Sequence, residues 1–284
     1  MHPLLFSVEV GISAIFLLCI THSTKYKNQI LLVSAIIYAF VFENFNIILS
    51  EGKTGSYFYN SGFLTLWHTP IFIVLAWASI IYTAMLLSET LPVKKEYLPF
   101  LDALLVILID LSIDVVAIRL GFWNWNGFSF NESYFGVPAG NFISWILIVF
   151  TFSFFTRKIG DMQIKRWLKN TAQIFIFIPS YIAFGVFSVL LWLLSDSLKL
   201  SKFQQLFVFA ALALIFLAAI LLNLQPKKKK AKKPNIIAIT RWPFHLFAFA
   251  GLIFLARTEP LPVIIPLTAV SLVLISIEIW ITRT

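Results

Sequence analysis

Long apolar runs separated by short polar connections dominate this chain. A membrane-crossing helix needs about 20 mostly apolar residues. Nine stretches meet that need: about 4–21, 29–49, 63–88, 99–120, 140–156, 171–195, 203–224, 236–256 and 262–281. The pattern predicts an all-α fold, a polytopic transmembrane helical bundle of about nine spanning helices. Pro70, Pro179 and Pro243 fall inside or near the ends of these runs, so some helices should kink or begin late. No internal repeat divides the chain, and residues 1–284 read as one integral membrane domain. The first run lacks a basic leader and a small-residue cleavage site after it, which marks a retained helix rather than a signal peptide.

Composition agrees. The chain is 60% hydrophobic and 12% charged, with a mean hydropathy of +0.89, whereas soluble domains run near 45–50% apolar and about 25% charged. The expected location is therefore the cell membrane, multi-pass. The net charge of +9 is not spread evenly. Connections one, three, five and seven hold 15 Lys and Arg residues, and the even connections, with the helix-end Arg119, hold five. Positive charge marks the cytoplasmic side, so the N-terminus is expected outside and the C-terminus inside. The run PKKKKAKKP makes residues 225–235 a basic cytoplasmic linker. This distribution points to anionic lipid headgroups as partners at the cytoplasmic loops, and not to nucleic acid. Cys19 is the sole cysteine, which excludes a disulfide framework.

Against this apolar background, ionisable residues within the runs are the informative positions, because each costs about 2.5–3.5 kcal/mol at a helix centre. Asp110 and Asp114 share the fourth run. Four residues is close to one turn, so both carboxyls lie on one stripe about 6 Å apart along the axis. Two like charges so close in low dielectric resist joint ionisation, and a shared proton makes donor and acceptor available together. Under the expected topology, Glu43 on the second run, His68 near the start of the third, Asn141 opening the fifth and Glu9 on the first fall at the same membrane depth. Trp123, Asn124 and Trp125 follow directly after the aspartates. Arg119 reads as a snorkelling helix-end charge, and the two indoles alone could equally be interfacial-belt aromatics. Arg241 and His245 lie apart, nearer the cytoplasmic side, and Asp102 and Glu278 read as interface charges.

These features resemble the carotenoid biosynthesis family of integral membrane hydratases, which includes bacterial γ-carotene 1',2'-hydratases and the haloarchaeal bisanhydrobacterioruberin hydratase. The likeness rests on Glu43 after an aromatic-rich run, on TPIFIVLAWASIIY with Pro70 and Trp77, on DLSIDVVAIRLGFWNW, and on YFGVPAGNFISW with Gly136, Pro138, Asn141 and Trp145. It covers roughly residues 30 to 160. Where the family often has a proline after the second aspartate, this chain has Val115.

The resemblance implies a hydro-lyase, a carotenoid 1',2'-hydratase, whose substrate is a linear polyene with an open ψ end dissolved in the bilayer. It implies no cofactor, and it suggests other carotenoid-pathway enzymes as partners. Hydrating a trisubstituted terminal alkene requires protonation at the less substituted carbon, a tertiary carbocation and capture by water. The Asp110/Asp114 pair would supply the acid, with its second member or Glu43 directing water. Trp123 and Trp125 would face the cation, Asn141 and His68 would hold the water, and Trp77 and Trp145 would contact the hydrocarbon. A proton-coupled transporter is the alternative, since intramembrane carboxyls also serve proton relays. The four histidines, His2, His22, His68 and His245, lack the close spacing of a di-iron hydroxylase.

Overall fold

A computed structural model of the chain describes residues 3–129, 132–226 and 235–283. The apolar runs become helices: α1 (Pro3–Tyr26), α2 (Gln29–Ser50), α3 (Ile71–Ser88), α4 (Leu98–Arg119), α5 (Ala139–Asp161), α6 (Arg166–Ile174), α7 (Phe177–Ser197), α8 (Gln205–Leu221), α9 (Asn235–Leu255) and α10 (Leu261–Arg283). Among the described residues, seven of these are long and apolar enough to cross a membrane. Of the other long ones, α4 carries Asp102, Asp110 and Asp114, and α8 is a shorter apolar helix. The protein is thus all-α and membrane-like. Residues 227–234 of the basic stretch 225–235 lie outside the described residues.

Two of the expected spans have different bounds. The third does not begin at 63. Proline lacks the N–H a helix interior needs, and it drives the residue before it into extended backbone. Pro70 accordingly caps α3 in extended conformation (φ −60°, ψ 136°). The residues ahead of it pair as β2 (Thr65–Leu66) and β3 (Thr69–Pro70), after β1 (Tyr57–Tyr59) earlier in the same connection. The sixth span divides into α6 and α7 around Phe175 and Ile176. Here α6 sets Arg166 and Lys169 beside Trp167 and Leu168, the composition of a helix lying in an interface. Without a proline after Asp114, α4 runs unbroken past Val115 to Arg119.

α3 and α4 form the centre. α3 is buried on nearly every side from Phe72 to Ser88, so an apolar sequence all round is what its position requires. α7 is the opposite case. Ile182, Val186 and Trp192 are all exposed there, and only Ser180 is buried. Such wide apolar exposure is unusual for a surface facing water and ordinary for one facing lipid.

Successive long helices alternate in direction, which gathers their connections at two ends. At one end, β1 pairs antiparallel with β4 (Trp123–Trp125) of the α4–α5 connection, and Lys202 of the α7–α8 connection reaches the Gly127 carbonyl at 2.7 Å. At the other, Lys94 reaches Asn223 at 3.2 Å and Lys95 pairs with Asp161. Two charge clusters, each with a fully buried carboxylate, lock the helices together. Arg157 on α5 bonds Asp102 on α4 at 2.9 Å, along with Ser88 and Glu89 at the end of α3. Arg241 on α9 pairs with Glu278 on α10 and donates to the Leu105 carbonyl on α4 at 2.7 Å. Asp102 and Glu278, expected as interface charges, are fully buried within these clusters.

Candidate functional site

The i, i+4 spacing in α4 delivers Asp110 and Asp114 to one face, each 6% exposed. Asn141 stands opposite. Pro138 caps α5 in extended conformation, which places Asn141 in the helix's first turn beside the aspartates. One amide group serves both acids: Asn141 Nδ2 donates to Asp110 Oδ2 at 3.3 Å and to Asp114 Oδ2. The bridge holds the two carboxyls on a common donor and fixes their separation.

The third carboxyl comes from α2. Glu43 is buried and accepts two phenol hydroxyls at a single oxygen, Oε2: that of Tyr57, and that of Tyr59 at 3.1 Å. Asn46, one turn along α2, donates to the Tyr57 hydroxyl at 3.3 Å. Residues two apart on a strand share a face, so Tyr57 and Tyr59 both turn inward while Phe58 between them is 60% exposed. Trp123 and Trp125 follow the same rule on β4. The register sets Tyr57 against Trp125 and Tyr59 against Trp123, with ring centroids 4.8 and 5.9 Å apart. This two-stranded ribbon closes the connection end of the site with four aromatic rings. Burial, and then the neighbouring Glu43, push both phenols well above their usual range, so the hydroxyls remain protonated donors. The three carboxyls are near enough to interact electrostatically across the site.

All of this opens on one cavity of about 350 Å³. Glu43, Asp110, Asp114 and Asn141 supply its polar groups beside Asn46 and the tyrosines. Much of the remaining wall is hydrocarbon and aromatic. Trp77 on α3 and Trp145 on α5 pack with centroids 4.0 Å apart, and the near side is Val8, Gly11 and Ile12 of α1 with Phe244 and Phe247 of α9. An apolar pocket with a few convergent polar groups is the form that small-ligand sites take. Here the polar groups are carboxyls and their donors, an arrangement suited to moving protons beside a hydrocarbon.

Eight of the nine residues given a role in the sequence reading line this cavity: Glu43, Trp77, Asp110, Asp114, Trp123, Trp125, Asn141 and Trp145. His68 does not. It belongs to the turn between β2 and β3 instead of the start of α3, its side chain is exposed, and its backbone N–H donates to Asn44 Oδ1 at 2.9 Å. Glu9 is occupied elsewhere, accepting the Leu64 N–H at 2.6 Å. Arg119 donates to the carbonyls of Val115 and Phe135, both at 2.9 Å. Tyr57 and Tyr59 were missed. Their signal is the Tyr-x-Tyr alternation at 57–59, which matches the Trp-x-Trp alternation at 123–125. The contributions of α1 and α9 left no comparable mark, because nearly all of their cavity-lining residues are apolar and the ionisable residues of these helices lie elsewhere.

A family profile described as "Carotenoid biosynthesis protein" matches residues 4–216. No curated protein and no solved structure matches the chain.

Proposed function

The chain belongs to the carotenoid biosynthesis protein family, and from that premise we propose that it is a membrane carotenoid hydratase. In this reading it adds water across the terminal 1',2' double bond of a ψ-ended carotenoid. The observation that carries the reading is the pairing of an amide-bridged aspartate pair with a third, phenol-held carboxyl in one apolar, aromatic cavity. A cavity of about 350 Å³ accepts the end of a long polyene and leaves the remainder in lipid.

The protonated member of the Asp110/Asp114 pair gives its proton to C2', and the alkene's π electrons form the new C–H bond. The charge is left at the tertiary carbon C1'. Trp123 and Trp125 face it with their rings, an attraction worth about 0.5–2 kcal/mol. A water oxygen then bonds to C1', and its proton passes to Glu43 or to the ionised aspartate, which gives a tertiary alcohol and returns the site to its starting charge. Asn141 keeps the aspartates in register throughout.

The same reading takes all nine long helices as spans, with the N-terminus outside and the C-terminus in the cytoplasm. The 15 Lys and Arg residues of the odd connections then face the anionic inner leaflet. The 17-residue α8 is about 26 Å long, so it crosses where the bilayer thins.

The test is expression in cells that accumulate a ψ-ended carotenoid, with hydroxylated product measured by chromatography and mass. The intact chain should form the alcohol. Asp110→Asn and Asp114→Asn should each lower its rate about 10²–10⁴-fold. Full activity in both variants removes the acid assignment, and absence of product from the intact chain removes the function.

A further inference from the structure

Trp125 lines two cavities at once. On one side lies the carboxyl-bearing cavity. On the other lies a second, more open one of about 370 Å³, bounded by Arg119, Asn124 and Glu259 as well as the indole. No other described residue lines both. The two spaces differ in chemistry. In the inner one, hydrocarbon and aromatic walls surround the carboxyl cluster, whereas the outer one presents two ionisable side chains and a carboxamide over a smaller apolar wall.

The alternation of β4 builds this division. Asn124 is exposed, and its neighbour Trp125 turns inward to pack on Tyr57 with centroids 4.8 Å apart. The Tyr57 hydroxyl donates to Glu43. A single ring therefore separates the outer cavity from the phenol that holds the third carboxyl. The indole Nε1 is buried and has no hydrogen-bond partner among the described residues. Burying an indole N–H without a partner is unfavourable, and a water molecule beside it relieves that cost.

We infer that the Trp125 indole is the partition through which water passes from the polar outer cavity to the carboxyl cluster. The site then draws its two reactants from different sides, hydrocarbon from the lipid and water from the aqueous end of the bundle. The inference rests on the hydratase reading, in which water is a reactant. Apolar cavities stay dry, so a site walled mostly by hydrocarbon needs a polar route for water. A ring that admits water sparingly also protects a carbocation from capture before it is positioned.

The experiment follows water access directly. Cys19 is the chain's one cysteine and is fully buried. In a Cys19→Ala background, Ser144→Cys puts a thiol on the inner cavity's α5 wall. The protein, in lipid nanodiscs, is treated with a charged methanethiosulfonate reagent that does not enter lipid. Labelling should be slow, several-fold faster when Trp125→Ala is added, and slower when Asn124→Trp is added on the outer side. A rate indifferent to both substitutions overturns the inference. Should Trp125→Ala fail to fold, Asn124→Trp decides alone, because it leaves the inner wall intact; unchanged labelling there overturns the inference equally. Failure of the hydratase reading shows separately, as absence of alcohol from the unmodified chain whatever the labelling rates.

Discussion

Glu43 accepts both of its hydrogen bonds at Oε2, and among the described residues Oε1 has no protein donor. Two phenols thus fix the carboxyl's plane and leave one oxygen available to water in the cavity. Tyr57→Phe removes one of those donors and keeps the ring that packs on Trp125. A hydrogen bond to a charged group is worth about 1.5–3 kcal/mol, so hydration should slow roughly ten- to a hundredfold. Tyr57→Phe with unchanged turnover in the carotenoid assay would deny Glu43 a role that depends on its orientation. The phenols also predict a pH dependence. Burial and Glu43 raise both above the usual tyrosine value near 10. Below pH ~10 both states keep these protons and stability is level; above it the unfolded chain releases them and the folded one does not, so stability falls. Melting temperature measured from pH 8 to 11 should drop only in the upper part of that range, and by less in Tyr57→Phe/Tyr59→Phe. The aspartate pair was legible in the sequence because a helix makes i, i+4 a contact rule that needs no tertiary knowledge. The tyrosines were not, because a three-residue strand shows its facing only once its partner strand is known.

Among the elements, the runs at 29–49, 99–120, 236–256 and 262–281 fall within two residues of α2, α4, α9 and α10, with Pro243 and Pro266 inside the last two, whereas the third and sixth runs depart from the structure, the third at Pro70 and the sixth where the amphipathic α6 intervenes. Pro70 moved the start of α3 from 63 to 71, and that shift carried His68 out of the site and into an exposed turn. The charged ties between helices were hidden for another reason. Arg241 and Glu278 are 37 residues apart in sequence, and nothing local announces that they meet. Both are fully buried, and the pair anchors α9, whose Phe244 and Phe247 form one wall of the cavity, to α10 and to the Leu105 carbonyl of α4. Removing one partner strands the other charge in the interior, which costs about 3–5 kcal/mol, whereas replacing both with apolar groups of similar volume is often neutral. Glu278→Leu should therefore lower the melting temperature in detergent sharply, and Arg241→Met added to it should restore most of the loss. Additive destabilisation in the double variant would mean that the two charges are not a pair in the folded protein.

At the scale of the molecule, the carboxyl cluster sits near the connection end of the bundle and the hydrocarbon wall extends from it beneath α1. That helix is the least enclosed part of the wall: Phe6, Val10 and Leu17 on its outer side are 50–60% exposed, while Val8, Gly11 and Ile12 line the cavity. A single helix therefore separates the cavity from the apolar outer surface, the side from which the proposed polyene substrate would enter. Gly11 gives a direct way to close that space. Gly11 lies on the face of α1 that lines the cavity, with Ser7, Val8 and Ile12, and a Cβ built there meets nothing within 4 Å, so the first atom of a larger side chain has room. Glycine also weakens a helix interior, by about 1 kcal/mol relative to alanine. Gly11→Phe should hold or raise the melting temperature while removing most hydration of the polyene, and Gly11→Ala should raise the melting temperature modestly while leaving hydration nearly unchanged. The contrast between them separates filled volume from altered backbone. Full activity in a stable Gly11→Phe protein would mean that the polyene does not occupy this cavity, and the carboxyls would then serve some other chemistry.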